Sequence, residues 1–180
     1  MTSQIALLRG INVGGNKKFP MARQRALMAE LGFEDVTVHL QTGNIVFADP
    51  GTPPDRTART LEDAFSADLG FSVPVMVRTR DELAATVDAN PYPAAVAEPK
   101  TLHVVFLSDV PTDTSALDAL NAAAYAPHEF RLIGREIYLH VPGGLGRSKL
   151  AAKLGNPRLG VTATARNWNT VTKLLALADT

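Results

Sequence analysis

The chain has 180 residues, of which 46% are hydrophobic and 20% charged, and these proportions are typical of globular proteins and exclude disordered and fibrous classes. It contains no cysteine, which excludes disulfide frameworks, thiolate nucleophiles and Cys-ligated metal sites. Its four histidines never stand at HxxH or HExxH spacing, so we expect no metal and no cofactor. No apolar run approaches the ~18 residues of a membrane span, and the N-terminus lacks the basic segment of a signal peptide. We therefore expect a cytoplasmic protein with no membrane contact.

The net charge of zero hides a separation of charge along the chain. Residues 1–29 contain five basic residues and no acidic one, and residues 137–178 contain six basic residues and no acidic one. Residues 30–136 contain 17 acidic residues against 7 basic ones. If folding brings the two basic ends together, this pattern indicates an anionic partner. The alternative is that the basic side chains lie on solvated helix faces.

Apolar periodicity in the first half predicts four strands and two helices in the order βαββαβ. The strands are predicted over residues 5–10, 36–40, 44–47 and 73–77. One helix follows Pro20 and ends at Gly32, and the other begins at Pro54 and ends at Gly70.

The second half repeats this order after a short helix (81–88) and a proline-rich stretch (90–99). Strands are predicted over 102–107, 129–133 and 136–141, with a possible last strand in 160–166. Helices are predicted after a Thr112 or Thr114 cap, over about 147–154, and over 168–178. We therefore predict an α+β fold of two ferredoxin-like βαββαβ modules packed together, with mostly antiparallel sheets. The modules cover residues 1–80 and 101–180, the second with a terminal helix, and 81–100 form the junction.

Four stretches carry the candidate ligand-binding residues. The first, RGINVGGNKK (9–18), lies between a strand and a helix, where glycine backbones and cations can bind an anion. Its candidate residues are Arg9, Gly10, Asn12, Gly14, Gly15 and Lys17. The alternative is a glycine loop that only turns the chain.

The second stretch, PGGLGRSK (142–149), occupies the equivalent place in the second half. Its candidates are Arg147, Ser148 and Lys149, which would join the backbone N–H groups in binding an anion. A flexible loop without a ligand is the alternative. Ser148 or Lys149 could act as a nucleophile, but no neighbouring base or GxSxG sequence supports that role.

The third stretch, TARNWNTVTK (164–173), opens the last helix, with Thr164 or Asn167 as its cap. Arg166, Asn167 and Asn169 are candidates on the polar side of the helix start, whereas Trp168 is predicted to be a core anchor rather than a base-stacking platform.

The fourth stretch, QTGN (41–44), is a predicted hairpin turn in which Gln41 and Asn44 could face a ligand. Positive φ angles at residues 43 and 44 are the competing explanation.

The strings RGINVGG, QTGNIVF and TARNWNTVTKL resemble the bacterial domain of unknown function 1697 family, and the resemblance spans nearly the whole chain. The resemblance implies a compact, cytosolic α/β protein of ferredoxin-like character. It implies no established activity, substrate or cofactor.

Three classes of function remain open. The first is binding of a phosphorylated small molecule or nucleotide, with Arg9, Asn12, Lys17, Arg147, Lys149, Arg166 and Asn167 around one concave surface. The second is an enzyme acting on such a metabolite, with His39 or His140 as acid or base unless both are ordinary half-buried strand residues. The third is a nucleic-acid-binding or self-associating protein. The sequence pI of 6.9 and the 6% aromatic content argue against a dedicated nucleic-acid binder, for which a pI above about 9 is expected.

Overall fold

The computed structural model describes residues 2–154 and 157–180. The described chain divides into two compact units. The first contains the residues up to Ala85 together with Lys173–Thr180, and the second contains Thr86–Thr172.

The first unit is built from four strands, two main helices, and parts of two others, one of which is the last helix of the chain. Its strands are β1 (Ser3–Leu8), β2 (Thr37–His39), β3 (Asn44–Ala48) and β4 (Val75–Thr79). Its helices are α1 (Met21–Glu30), α2 (Pro54–Leu69) and the first part of α3 (Arg80–Asp88). The strand order is β2-β3-β1-β4 and each neighbouring pair is antiparallel, with Ile5 opposite Val46 and Ala6 opposite Val77.

Alternation along β1 explains where the core of the first unit lies. Ala6 and Leu8 belong to the apolar cluster that contains Leu27 and Met28 from α1 and Phe65 from α2. Helix α2 ends as its sequence predicts, because Gly70 adopts a left-handed conformation with φ of 78° and its N–H donates to Ser66 O.

The second unit repeats this arrangement. Its strands are β5 (Leu102–Leu107), β6 (Glu129–Ile133), β7 (Glu136–His140) and β8 (Ala163–Asn167). Its helices are α4 (Ser115–Asp118), α5 (Lys149–Leu154) and the first part of α6 (Trp168–Ala178). The strand order β6-β7-β5-β8 is again antiparallel throughout, and a core of apolar residues including Val105, Leu139 and Leu150 lies on one side.

The described chain thus contains two four-stranded antiparallel sheets with helices, and the predicted α+β fold of two βαββαβ modules is confirmed. The possible last strand in 160–166 is β8, shifted to Ala163–Asn167, and α4 is a single short turn of helix.

The end of the chain groups with the first unit, whereas the sequence places it in the second module. The Ser3 hydroxyl donates a hydrogen bond to Ala178 O at 3.2 Å. The Arg80 guanidinium donates to both carboxylate oxygens of Asp179, at 2.6 and 3.3 Å. These two contacts attach the end of α6 to β1 and α3.

No helix in the described residues is both long and apolar enough to cross a bilayer.

Candidate functional site

The stretch 9–18 forms a small hairpin at the edge of the first sheet where β1 ends. Asn12 N–H donates to Lys17 O at 3.0 Å, and Asn16 N–H donates to Val13 O at 2.9 Å. Between them Gly14 and Gly15 have φ angles of 57° and 80°, the two positive values that a type I′ hairpin turn requires. The two glycines are therefore explained by the turn itself.

The side chain of Asn12 attaches this hairpin to the turn between β2 and β3. Its amide nitrogen donates to Phe19 O at 2.9 Å and to Gln41 O at 2.6 Å, and its oxygen accepts from Phe19 N–H at 2.8 Å. Asn12 has a φ of 54°, which asparagine tolerates better than most residues. Two of the predicted stretches, 9–18 and 41–44, are therefore held together at one sheet edge.

The turn 41–44 also packs closely against β1. Leu8 N–H donates to Gly43 O at 2.9 Å, and Gly43 has a φ of 93°. A Cβ at residue 43 would lie 2.6 Å from the Leu8 Cβ, so only glycine fits here.

The explanation of Asn44 by a positive φ is wrong. Asn44 is the first residue of β3, is fully buried, and its amide nitrogen donates to His39 O at 2.8 Å and to Thr42 Oγ1 at 3.0 Å. The left-handed residue at this turn, besides Gly43, is Leu40, with a φ of 62°. Asn44 thus stabilises the turn from inside the protein, while Gln41 is exposed.

The cations of this edge are Arg9, which is half-buried, and Lys17 and Lys18, which are exposed. Arg23, another cation of the basic N-terminal segment, pairs instead with Asp68 and with Glu30 at 3.1 Å. Hydrogen bonds to these two carboxylates raise the pKa of Arg23, and the bond to Arg23 lowers the pKa of Asp68. Part of the basic segment is therefore neutralised within the first unit.

In the second unit, the stretch 142–149 contains a glycine turn followed by a helix cap. Gly143 and Gly144 have φ angles of 87° and 94°. Ser148 is buried, its Oγ accepts from Ala151 N–H at 3.0 Å, and it hydrogen-bonds His128 Nδ1 at 3.0 Å. Lys149 is exposed, and the side chain of Arg147 lies outside the described part of the structure.

His128 is a residue that the sequence analysis missed. It precedes β6 and lies 20 positions from Ser148 in sequence, so no local motif indicates the pair. A serine hydroxyl and an imidazole nitrogen at hydrogen-bond distance are the first two members of a nucleophile–base arrangement.

Arg166 lies in β8, whereas the sequence predicts that it lies on the polar side of a helix start. It is buried, with its Nη1 donating to Thr164 Oγ1 and to Ala165 O, both at 2.9 Å. Burial lowers its pKa to about 10. The prediction that Arg166 lies on the polar side of a helix start is therefore wrong: the residue is buried in β8, opposite the fully buried Val104 of β5.

Asn167 and Trp168 take their predicted places at the start of α6. The Asn167 Oδ1 accepts from Thr170 N–H at 2.9 Å, so Asn167 rather than Thr164 caps the helix. Trp168 is only 4% exposed, which confirms it as a core residue, and Asn169 is exposed.

The second and third stretches leave the same edge of the second sheet. His140 at the end of β7 pairs with Leu102, and Asn167 at the end of β8 pairs with His103. Strand β5 lies between them. The larger surface expected to join Arg9, Lys17, Lys149 and Asn167 divides between the two units and stays a prediction.

The two histidines considered as acid or base are half-buried strand residues, as the alternative interpretation predicted. Burial, together with the charge of Lys173, lowers the pKa of His39. His140 lies 3.9 Å from Glu129 and its ring centroid is 5.9 Å from that of Tyr92. The described residues contain no group of three or more His, Cys, Asp or Glu that could hold a metal ion.

Comparison with known proteins gives a family and a fold. The family model described as "Protein of unknown function (DUF1697)" matches residues 1–138. No curated protein matches the chain. A solved structure that is similar to the chain is "The structure of conserved bacterial protein SP0830 from Streptococcus pneumoniae", with 20% identity, a TM-score of 0.75 and coverage of 98% of each chain. At this identity the similarity concerns the fold alone.

Proposed function

The chain belongs to the family described as "Protein of unknown function (DUF1697)", and we propose that it binds a phosphorylated small molecule at the sheet edge formed by the 12–17 hairpin and the 41–44 turn. We call this edge the basic edge. Its cations are Arg9, Lys17 and Lys18.

The absence of cysteine is compatible with a reducing compartment, and we propose that the protein acts in the cytoplasm. The strand orders β2-β3-β1-β4 and β6-β7-β5-β8 support a ferredoxin-like assignment for both units.

The observation that carries the proposal is the side chain of Asn12, which bonds to Phe19 and to Gln41. These bonds hold two separate chain segments in a fixed relation, so the edge is preorganised and loses little freedom when a ligand binds. Lys17 is exposed on one arm of the hairpin, and Lys18 is exposed directly after it. Ammonium groups of this kind bind phosphate as point charges.

The test is calorimetric titration with inorganic pyrophosphate at low ionic strength. We expect Lys17→Gln and Lys18→Gln each to weaken binding about 5- to 10-fold, as the loss of one charged contact to a phosphate would. Arg25→Gln is the matched control, because it removes the same charge from an exposed site on α1 that is not part of the basic edge. Equal affinities for the wild type and both lysine variants would contradict the proposal.

Ionic strength gives a second measurement on the same protein. Exposed charges are screened over about 10 Å at 0.1 M salt, so pyrophosphate binding should weaken steadily as salt is raised. An affinity that does not change with salt would indicate that the cations contribute nothing to binding.

A second candidate function, an enzyme acting on a phosphorylated metabolite, is favoured by the 3.0 Å contact between Ser148 Oγ and His128 Nδ1. In that reaction Oγ would attack the phosphorus of a phosphomonoester, and the bond from phosphorus to the leaving oxygen would break. The Ser148 proton would pass to His128 Nδ1 and from there to the leaving oxygen. Water would then hydrolyse the phosphoserine.

The test of this second candidate uses p-nitrophenyl phosphate as the probe and mass spectrometry of the protein as the measurement. A phosphoryl group on Ser148 that disappears in His128→Gln would support the reaction. Ser72→Ala, at an exposed serine in the first unit, is the control. An unmodified Ser148 in the wild type would leave the residue as a helix cap only.

A further inference from the structure

The basic edge carries two exposed apolar side chains beside its cations. Val13 is 62% exposed and Leu40 is 48% exposed, the two highest values for large apolar residues in the described part of the first unit. Val13 follows Asn12 and Leu40 precedes Gln41, the two residues joined by the 2.6 Å hydrogen bond. The two apolar residues are therefore the sequence neighbours of the two residues whose contact holds the edge together.

Leu40 combines this exposure with an unfavourable backbone. Its φ of 62° lies in the left-handed region, where a bulky apolar residue is an outlier and where glycine, asparagine or aspartate is usual. Lys17 of the same edge has a φ of 50°, so besides Asn12, whose residue type tolerates this region, two non-glycine residues of the edge are strained. Strain that a turn could avoid with a different residue is characteristic of ligand-binding positions.

From this arrangement we infer that the ligand of the basic edge is a nucleotide, whose base packs on Val13 and Leu40 while its phosphates contact Lys17 and Lys18. This inference rests on the proposed function, because it needs the same cations to bind phosphate. A sugar phosphate or inorganic phosphate has no apolar surface to cover Val13 and Leu40. A nucleobase has two apolar faces, and burying them against aliphatic side chains is favourable.

The position of the two apolar residues fits a ligand with separate apolar and anionic parts. Val13 stands at one end of the Gly14–Gly15 turn and Lys17 stands one residue beyond the other end, at Asn16. Both parts of the ligand are therefore bound by one hydrogen-bonded hairpin and the turn attached to it. The free energy of binding gained from the base then adds to the free energy gained from the phosphates.

The test compares two probes in metal-free buffer by calorimetry: adenosine 5′-diphosphate and inorganic pyrophosphate. We expect the diphosphate to bind about 10-fold more tightly than pyrophosphate. Leu40→Asn, which suits the left-handed backbone, and Val13→Thr, which keeps the branched side chain, should each remove most of this advantage and leave pyrophosphate binding unchanged. Lys17→Gln should weaken both phosphate probes.

Val110→Thr is the matched control, because Val110 is 55% exposed in the second unit. It should leave the binding of both probes unchanged. Equal affinities of the diphosphate and pyrophosphate would overturn the inference and leave the proposed function intact, as would an advantage that survives in both Leu40→Asn and Val13→Thr. Failure of both phosphate probes to bind would overturn the proposed function as well.

Discussion

Gly43 is the residue at which the basic edge is most sensitive to a single added carbon atom. Its φ is 93° and an added Cβ would lie 2.6 Å from Leu8 Cβ. Gly51 has a similar φ of 80° but open space around it. We expect Gly51→Ala to lower the free energy of unfolding by about 1 kcal/mol through backbone strain alone. Gly43→Ala should lower the free energy of unfolding by about 3 kcal/mol, since overpacking adds to the same strain. Urea denaturation of both variants measures the difference between the two losses. Equal losses would show that β1 and the turn separate easily.

Two site residues show what residue type alone could not establish. Asn44 and Arg166 are candidate ligand-binding residues by sequence because they are polar and lie beside a turn or a helix start. In the structure both are buried, Asn44 at the start of β3 and Arg166 within β8. Their burial follows from strand register, which brings Leu7 opposite Asn44 and Val104 opposite Arg166. Register depends on partners far away in sequence, so turn and helix signals could not indicate it.

Among the elements, those with strong end signals were predicted closely. Helix α1 after Pro20 and helix α2 from Pro54 to Gly70 have proline at the start and glycine near the end, and both occur as expected. Helix α4 lacks such signals and comprises only Ser115–Asp118. The contact between His128 and Ser148, and the Asn12 bond to Gln41, could not be predicted because each joins distant segments through a side chain.

Trp168 is a large buried apolar residue at the start of helix α6. Trp168 is 4% exposed and is the first residue of the helix. We expect Trp168→Ala to lower the free energy of unfolding by about 3–5 kcal/mol, because it removes a large buried apolar side chain. Thermal melting measures the loss. A variant that melts like the wild type would show that the indole contributes little to packing, and would favour a stacking role.

The same helix has a cap whose contribution can be measured separately. Asn167 Oδ1 accepts the Thr170 N–H at 2.9 Å. Asn167→Ala should lower the free energy of unfolding by about 1 kcal/mol, the usual value of a cap, as measured by urea denaturation. Exposed Asn169 is the control, and Asn169→Ala should change the free energy of unfolding by less than about 0.5 kcal/mol. If the two variants lose the same stability, the hydrogen bond of Asn167 is not acting as a cap.

At the scale of the whole molecule, the charge separation of the sequence is reduced by folding. Arg23, from the basic N-terminal segment, pairs with Asp68 and Glu30 of the acidic central segment. Acidic residues of the central segment therefore neutralise this arginine. The exposed cations of the basic edge, Lys17 and Lys18, are therefore fewer than the five basic residues of the first 29 suggest.

The stability of the chain as a function of pH should report on His103. This residue of β5 shares a strand face with the core residues Val105 and Leu107 and is 5% exposed. Its Nδ1 makes no hydrogen bond within the part of the chain that the structure describes. Burial lowers its pKa from 6.5 to about 4. The folded state therefore keeps His103 neutral at pH values where the unfolded chain already binds a proton.

The sign of the effect follows from this difference, because a group that binds protons more strongly when unfolded favours unfolding as the pH falls. The free energy of unfolding should be constant with respect to His103 above pH 6.5, decrease as the pH falls from 6.5 to about 4, and level off below that value. The decrease should amount to at most about 3 kcal/mol. His39, whose pKa is also lowered, adds a decrease in the free energy of unfolding of the same sign, and carboxylates titrate near the lower end of this pH range.

Urea denaturation of the wild type and of His103→Leu across this range isolates the contribution of His103, because the other groups are common to both proteins. We expect the variant to lose less stability between pH 6.5 and pH 4 than the wild type. Parallel curves for the two proteins would show that His103 is protonated as easily in the folded chain as in the unfolded one.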